Sequence, residues 1–181
     1  RPGHSFQVHI DLLRPESLGK VEARSADPRQ APAIQFNYLQ SPRDREDFRV
    51  SVQLLREILA QKARDPYRGA ELFPGPDIRS NDEIDAWVRR ALETCYHPVG
   101  TSKMGTGRDM SAVVDDELRV HGVDGLRVVG GSIMPSIVSG NTNAPTIMIA
   151  ERAADLIRGR KPLAPSEAPV WIHPKWESAQ R

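Results

Sequence analysis

From Phe6 to Leu12 the chain alternates, with Phe6, Val8, Ile10 and Leu12 interleaving Gln7, His9 and Asp11. A period of two belongs to a strand with one buried face, so this segment is predicted as a strand with His4 and His9 at its surface. Pro15 to Gly19 turns the chain, and Lys20 to Ala23 returns as a second strand. After the break at Asp27-Pro28, a third short strand is predicted from Ala33 to Phe36, which completes a small antiparallel sheet.

The period then becomes helical. Behind Ser41-Pro42, with Asp44, Glu46 and Asp47 in the early turns, Phe48, Val52, Leu55 and Leu59 fall on one face. Pro66, Gly69, Pro74, Gly75 and Pro76 make a loop of Arg64 to Asp77. Ser80-Asn81-Asp82-Glu83 has the form of a capping box for a second helix that buries Ile84, Trp87, Val88 and Ala91. Further on, Ala112 to Val114 leads into the acids Asp115 to Glu117, read as a solvated turn. Leu118 to Val120 and Leu126 to Val129 are predicted as strands about Gly122-Val123-Asp124-Gly125, the second buried because it is nearly all apolar. A helix from Pro145 to about Arg158 is apolar on most sides and is expected to be covered, with Gly159 and Pro162 ending it. Residues 161–181 form an extended proline-rich arm, whose Trp171 and Trp176 are expected to dock on the body or on a neighbouring subunit.

Composition narrows the function classes. The chain has 181 residues, with 25 Lys and Arg against 24 Asp and Glu, and a net charge of +1. Interspersed charge of this kind offers no broad field for nucleic acid or anionic lipid. Cys95 is the only cysteine, which excludes an internal disulfide and favours a reducing compartment. With no apolar run long enough for a bilayer and no signal peptide, the expected location is cytoplasmic, with the periphery of the inner membrane as the second choice. His97, His121 and His173 lack ligand spacing and the acids lack an EF-hand pattern, so no metal site is expected. Cys95 beside His97 has no oxyanion-hole signature nearby and is not read as a nucleophile.

Two stretches carry candidate chemistry: Tyr96-His97-Pro98-Val99-Gly100-Thr101 and Gly140-Asn141-Thr142-Asn143-Ala144-Pro145-Thr146. Proline disfavours helix for the residue before it, which puts His97 in extended backbone where its imidazole can face a cavity. Pro145 suits a first helical turn, with Asn141, Thr142 and Asn143 at or before the helix start. The free N–H groups and dipole of such an end favour negative charge. Gly130-Gly131-Ser132 lets the backbone approach another group closely.

The run from His97 to Ile157, including HPVGTSKMG, AVVDDELRVHGVDGLRVVGGSIMP and SGNTNAPTIMIAERAADLI, resembles the carboxyl-terminal signature of the glucose-methanol-choline (GMC) oxidoreductases, most similar to their choline dehydrogenase branch. The upstream PESLGKVEARSADPRQAPAIQFNYL is similar to the same family, so the likeness spans most of the chain. It implies an FAD-dependent alcohol oxidoreductase, with His97 as the active-site base and Asn141 as hydrogen-bond partner of the substrate oxygen. It also implies Thr142, Asn143 and Thr146 beside the flavin ring, and Gly131 and Ser132 near its ribityl-phosphate. A helix opening at Pro145 would then favour the reduced, anionic flavin electrostatically. Two positions depart from the family: Gly130 stands where relatives usually carry Asp, and Ser102 where many carry Cys.

The implied fold is α+β. Residues 1–94 form a substrate-domain portion of small antiparallel sheet and packed helices, and 95–160 carry the His loop and the strand-helix segment completing a flavin-binding domain. The chain begins at Arg1 and lacks a strand followed by GxGxxG, the dinucleotide fingerprint, so a carboxyl-terminal piece of a larger flavoprotein is expected, with an amino-terminal FAD-binding portion as its partner. A small alcohol, choline by resemblance, is the expected substrate, and a second copy of the chain is a candidate partner. The competing reading is an inactive binding or structural module held through the Trp171/Trp176 arm.

Overall fold

The computed structural model describes residues 3–161 and 163–178. Pro162, named above as a helix stop, lies outside the described residues. Two strands, β1 (Lys20–Glu22) and β2 (Ala33–Gln35), pair antiparallel with Val21 opposite Ile34. Three helices follow: α1 (Pro42–Leu59), α2 (Asn81–Ala91) and α3 (Asn143–Ile157). Short 3-10 turns cover Lys62–Arg64 and Gly131–Ile133. The α+β character holds. Among the described residues no helix is long and apolar enough to cross a membrane.

α1 starts where the sequence says it should. The Ser41 hydroxyl accepts the Arg43 N–H at 3.1 Å, and Pro42 stands in the first turn, where its missing donor costs nothing. Asp44, 3% exposed, reaches back to accept the backbone N–H groups of Glu16 and Ser17 at 2.8 and 2.9 Å. The Ser17 hydroxyl in turn accepts the Ser41 N–H at 3.0 Å. The Pro15 turn and the start of α1 are thereby tied into one knot. In α2 the capping box is complete, with Ser80 accepting from the Glu83 N–H and the Glu83 carboxylate accepting from the Ser80 N–H at 2.8 Å.

The two helices close a first core of Leu39, Val52, Ile84 and Val88, with Ile10, Phe48, Ile78, Trp87 and Leu92 against it. The guanidinium of Arg49 on α1 grips the Asp85 carboxylate of α2 through two hydrogen bonds, one of 2.7 Å from Nε. Arg56 fastens the proline-rich loop, donating to Glu71 and to the carbonyls of Gly75 and Ile78.

A second core comprises Val114, Leu118, Ile133 and Ala153, joined by Met104, Val113, Val120, Val128 and Ile149. Here the predicted strands shrink to isolated bridges, Val114 with Val120 and Arg119 with Arg127. Asp115 stops the ladder from extending: its carboxylate accepts the N–H groups of Glu117 and Arg119 and folds the chain into a turn. Those hydrogen bonds, led by that of Arg119, hold the Asp115 carboxyl below its ordinary range.

Other expectations fail because an apolar surface is covered only where another element lies on it. Phe6 to Leu12 forms no strand, since a ladder needs a neighbour and none of the described segments pairs with it. Only Ile10 reaches the core, while Phe6 and Val8 stay exposed. Leu126 and Val129 are exposed rather than buried. α3 begins two residues before Pro145, and of its apolar residues only Ala153 is fully buried. Among the described residues Trp171 and Trp176 do not dock on the body, Trp171 touching His173 edge-on, and a neighbouring subunit is the other surface expected for them. Gly159 does end α3, at φ 63°, with its N–H bonded to the Leu156 carbonyl and the Arg160 N–H to that of Asp155.

Burial pushes the Asp44 carboxyl up, but the hydrogen bonds from Glu16 and Ser17 outweigh it and the net shift is downward. A carboxyl lowered in the folded state stabilises fully above the unfolded aspartate range near ~3.9 and loses that contribution as pH falls through the lower native value. Asp44→Ala should therefore cost about 1–3 kcal/mol at neutral pH, and the gap from the parent should narrow on acidification below about pH 4. Urea unfolding at pH 7 and pH 3 measures both.

Candidate functional site

Leu92 ends α2 in extended backbone and releases the chain into the His97 loop. Tyr96, just before the histidine, takes φ 62°, a left-handed conformation unusual for an aromatic residue. Its N–H is held by the Thr94 hydroxyl at 3.1 Å, and its ring is exposed. Such strain at a non-glycine residue clusters at functional sites. This turn aims the next residue.

The half-buried imidazole of His97 is held at both nitrogens. Asn141 Nδ2 lies 2.9 Å from Nε2, and Thr142 Oγ1 lies 3.1 Å from Nδ1. Two side chains separated by 44 residues in sequence thus meet directly. The convergence expected of His97 and Asn141 is present.

The surroundings explain why these segments stay together. The Ser102 N–H donates to the Ser132 carbonyl at 2.9 Å and the Met104 N–H to the Ile133 carbonyl at 2.8 Å, so the segment leaving His97 is laced to the Gly131–Ile133 turn. A Cβ at Gly131 would stand in ordinary van der Waals contact, 3.4 Å from Thr146 Oγ1 and 3.9 Å from the Pro98 carbonyl, so this turn lies against both the entry of α3 and the His97 loop. The turn enters through Gly130 at φ 134°, ψ −168°, a region open essentially to glycine alone. An Asp there would require a different chain path, which is the physical meaning of that departure.

The remaining candidates fall into place by element. Asn143 is the first residue of α3 and is exposed, whereas Thr146 turns its hydroxyl inward to the Thr142 carbonyl at 2.7 Å. Ser132 takes part through its carbonyl. No side chain caps the start of α3, and no acidic residue stands in its first turn. That positive end suits an electron-rich group that carries negative charge. Among the described residues no three His, Cys, Asp or Glu side chains gather where a metal ion could be held.

Two features had no clear signal in the sequence. Nothing about Tyr96 announces a left-handed backbone, which is usually left to Gly, Asn or Asp. Thr142 reads as a residue near the helix start, and its contact with His97 depends on tertiary placement.

Known proteins resemble this chain closely. The family model described as GMC oxidoreductase, in its carboxyl-terminal form, matches residues 15–150. An oxygen-dependent choline dehydrogenase of Photobacterium profundum is 51% identical over 99% of this chain and 32% of its own length. One from Sinorhizobium medicae is 53% identical over 98% of this chain and 32% of its own. The chain spans about a third of the length of these curated relatives. Among solved structures, pyridoxine 4-oxidase from Mesorbium loti superposes with a TM-score of 0.76 at 36% identity, covering 82% of this chain and 29% of that one. Aspergillus oryzae formate oxidase gives 0.75 at 29% identity, covering 82% and 26%.

Gly100, at φ 88° and with the Met134 carbonyl 3.4 Å from where a Cβ would stand, holds the turn after His97. Gly100→Ala should destabilise by about 1–2 kcal/mol through left-handed strain alone. A fall in the thermal midpoint read by calorimetry checks it.

Proposed function

As the chain belongs to the GMC oxidoreductase family, we propose that it forms the carboxyl-terminal portion of an FAD-dependent alcohol oxidoreductase in which His97 is the base and Asn141 the oxygen-binding partner. The observation that carries this reading is the 2.9 Å contact between His97 Nε2 and Asn141 Nδ2. An alcohol oxygen that displaces this contact can receive the hydrogen bond of the Asn141 amide while its own O–H points at the Nε2 lone pair so released.

The chemistry follows from that placement. The O–H bond breaks, its proton moves to His97 Nε2, and its electrons become available to form the C=O bond of the product. The hydrogen on the adjacent carbon then leaves with its electron pair, so proton removal lowers the barrier to hydride departure. When bound, FAD supplies the hydride acceptor. The open start of α3 stabilises negative charge developing beside it, and the Asn141 amide stabilises the developing alkoxide. Gly131, Ser132, Thr142, Asn143 and Thr146 are the residues of this chain that would hold the cofactor.

The remaining contacts are assigned to an amino-terminal FAD-binding portion. Exposure of Ile147 and Met148, 54% and 60%, in the first half of α3 supports a partner surface beside the site. The two separate cores support a substrate-domain portion over 1–94 and a segment of the flavin domain over 95–160, followed by the 161–181 arm. Choline is the proposed substrate, on the strength of relatives named for it.

With the chain joined to its amino-terminal portion, His97→Ala should lower kcat about 10²- to 10⁴-fold, the usual weight of a general base, while the flavin absorbance is retained. Undiminished turnover overturns the assignment. A panel of alcohols assayed with oxygen and with an artificial electron acceptor tests the substrate: choline should show the highest kcat/KM, and indifference to the trimethylammonium group would remove it.

A further inference from the structure

We propose that Thr142 is a positioning residue that fixes the tautomer of His97, keeping the proton on Nδ1 and the lone pair on Nε2. The argument is one of donors and acceptors. The amide nitrogen of Asn141, 2.9 Å from Nε2, carries only protons and can only donate, so Nε2 must accept. In a neutral imidazole the proton then resides on Nδ1, which faces Thr142 Oγ1 at 3.1 Å. A hydroxyl oxygen accepts it.

Thr142 is well suited to this work. Its backbone carbonyl is occupied by the Thr146 N–H and the Thr146 hydroxyl, at 3.0 and 2.7 Å, which pins the residue at the entry to α3. Its side chain makes no capping hydrogen bond to that helix and is left to the imidazole. The same residue that sets the direction of α3 therefore sets the direction of the ring. A base whose lone pair must point at the substrate needs the opposite nitrogen protonated and held, and Thr142 does both. Loss of that acceptor would free the ring to rotate or to move its proton to Nε2, where it can accept nothing.

This inference rests on the reading of His97 as the base, yet its test is separate from it. The protein joined to its amino-terminal portion and loaded with flavin is labelled with ¹⁵N at histidine, and the two imidazole nitrogens of His97 are assigned by comparison with His97→Ala. Wild type should show a protonated Nδ1 and an unprotonated Nε2 in the neutral ring. Thr142→Val, which keeps the shape and removes the hydroxyl, should shift the tautomer ratio about five- to tenfold towards Nε2–H, the weight of one neutral hydrogen bond. It should lower kcat/KM in parallel, and Thr142→Ser should restore both. An Nε2–H tautomer in the wild type overturns the proposal even if the valine variant fails to fold, and so does a valine variant with unchanged imidazole shifts. Full turnover by His97→Ala, in contrast, removes the base assignment and leaves the tautomer result standing.

Discussion

An imidazole gripped from both sides is the arrangement on which the rest of this chain converges. A free histidine rotates about two bonds and exchanges its proton between two nitrogens, and either motion spoils a base. Here Asn141 and Thr142 occupy the two nitrogens from adjacent positions at the entry of one helix. Their consecutive placement has a geometric use. In a chain leaving a loop for a helix, successive side chains diverge, and a planar ring can fit between them with one nitrogen towards each.

Holding that grip requires a scaffold, and the second core provides it. The segment after His97 is laced to the Gly131–Ile133 turn, the turn packs under α3 through Ile133 and Ala153, and Gly131 lies close to both the His loop and the helix entry. The first core works by different means. Its two helices are closed by their own apolar faces and by the Arg49–Asp85 pair, and its loops are tied down by Asp44 and Arg56. Both halves leave apolar residues in the open, Val50, Leu54 and Ile58 on α1 and Ile147, Met148 and Ile157 on α3.

Negative charge is welcome at the start of α3, where neither a capping side chain nor an acid competes for it. The His97 imidazole and the Asn141 amide stand at the same end. The imidazole, the amide and the open helix end are thus grouped within one loop and one helix turn, as the proposed oxidation of an alcohol by hydride loss requires.

Local rules of the chain decided much of this. Ser41-Pro42 and the Ser80 to Glu83 box fixed two helix starts because capping depends on neighbours a few residues away, and Gly159 fixed an end for the same reason. The likeness of HPVGT and GNTNAP to one family pointed to His97 and Asn141. Burial could not be read in this way: the alternation from Phe6 to Leu12 and the all-round apolar character of α3 state what a segment would prefer to cover, not what lies beside it. The left-handed turn at Tyr96, the bridges that replaced strands around Asp115, and the contact of Thr142 with His97 belong to the tertiary structure alone. They arise from groups distant in sequence or from strain that only surrounding packing sustains, and a pattern of neighbours carries no record of either.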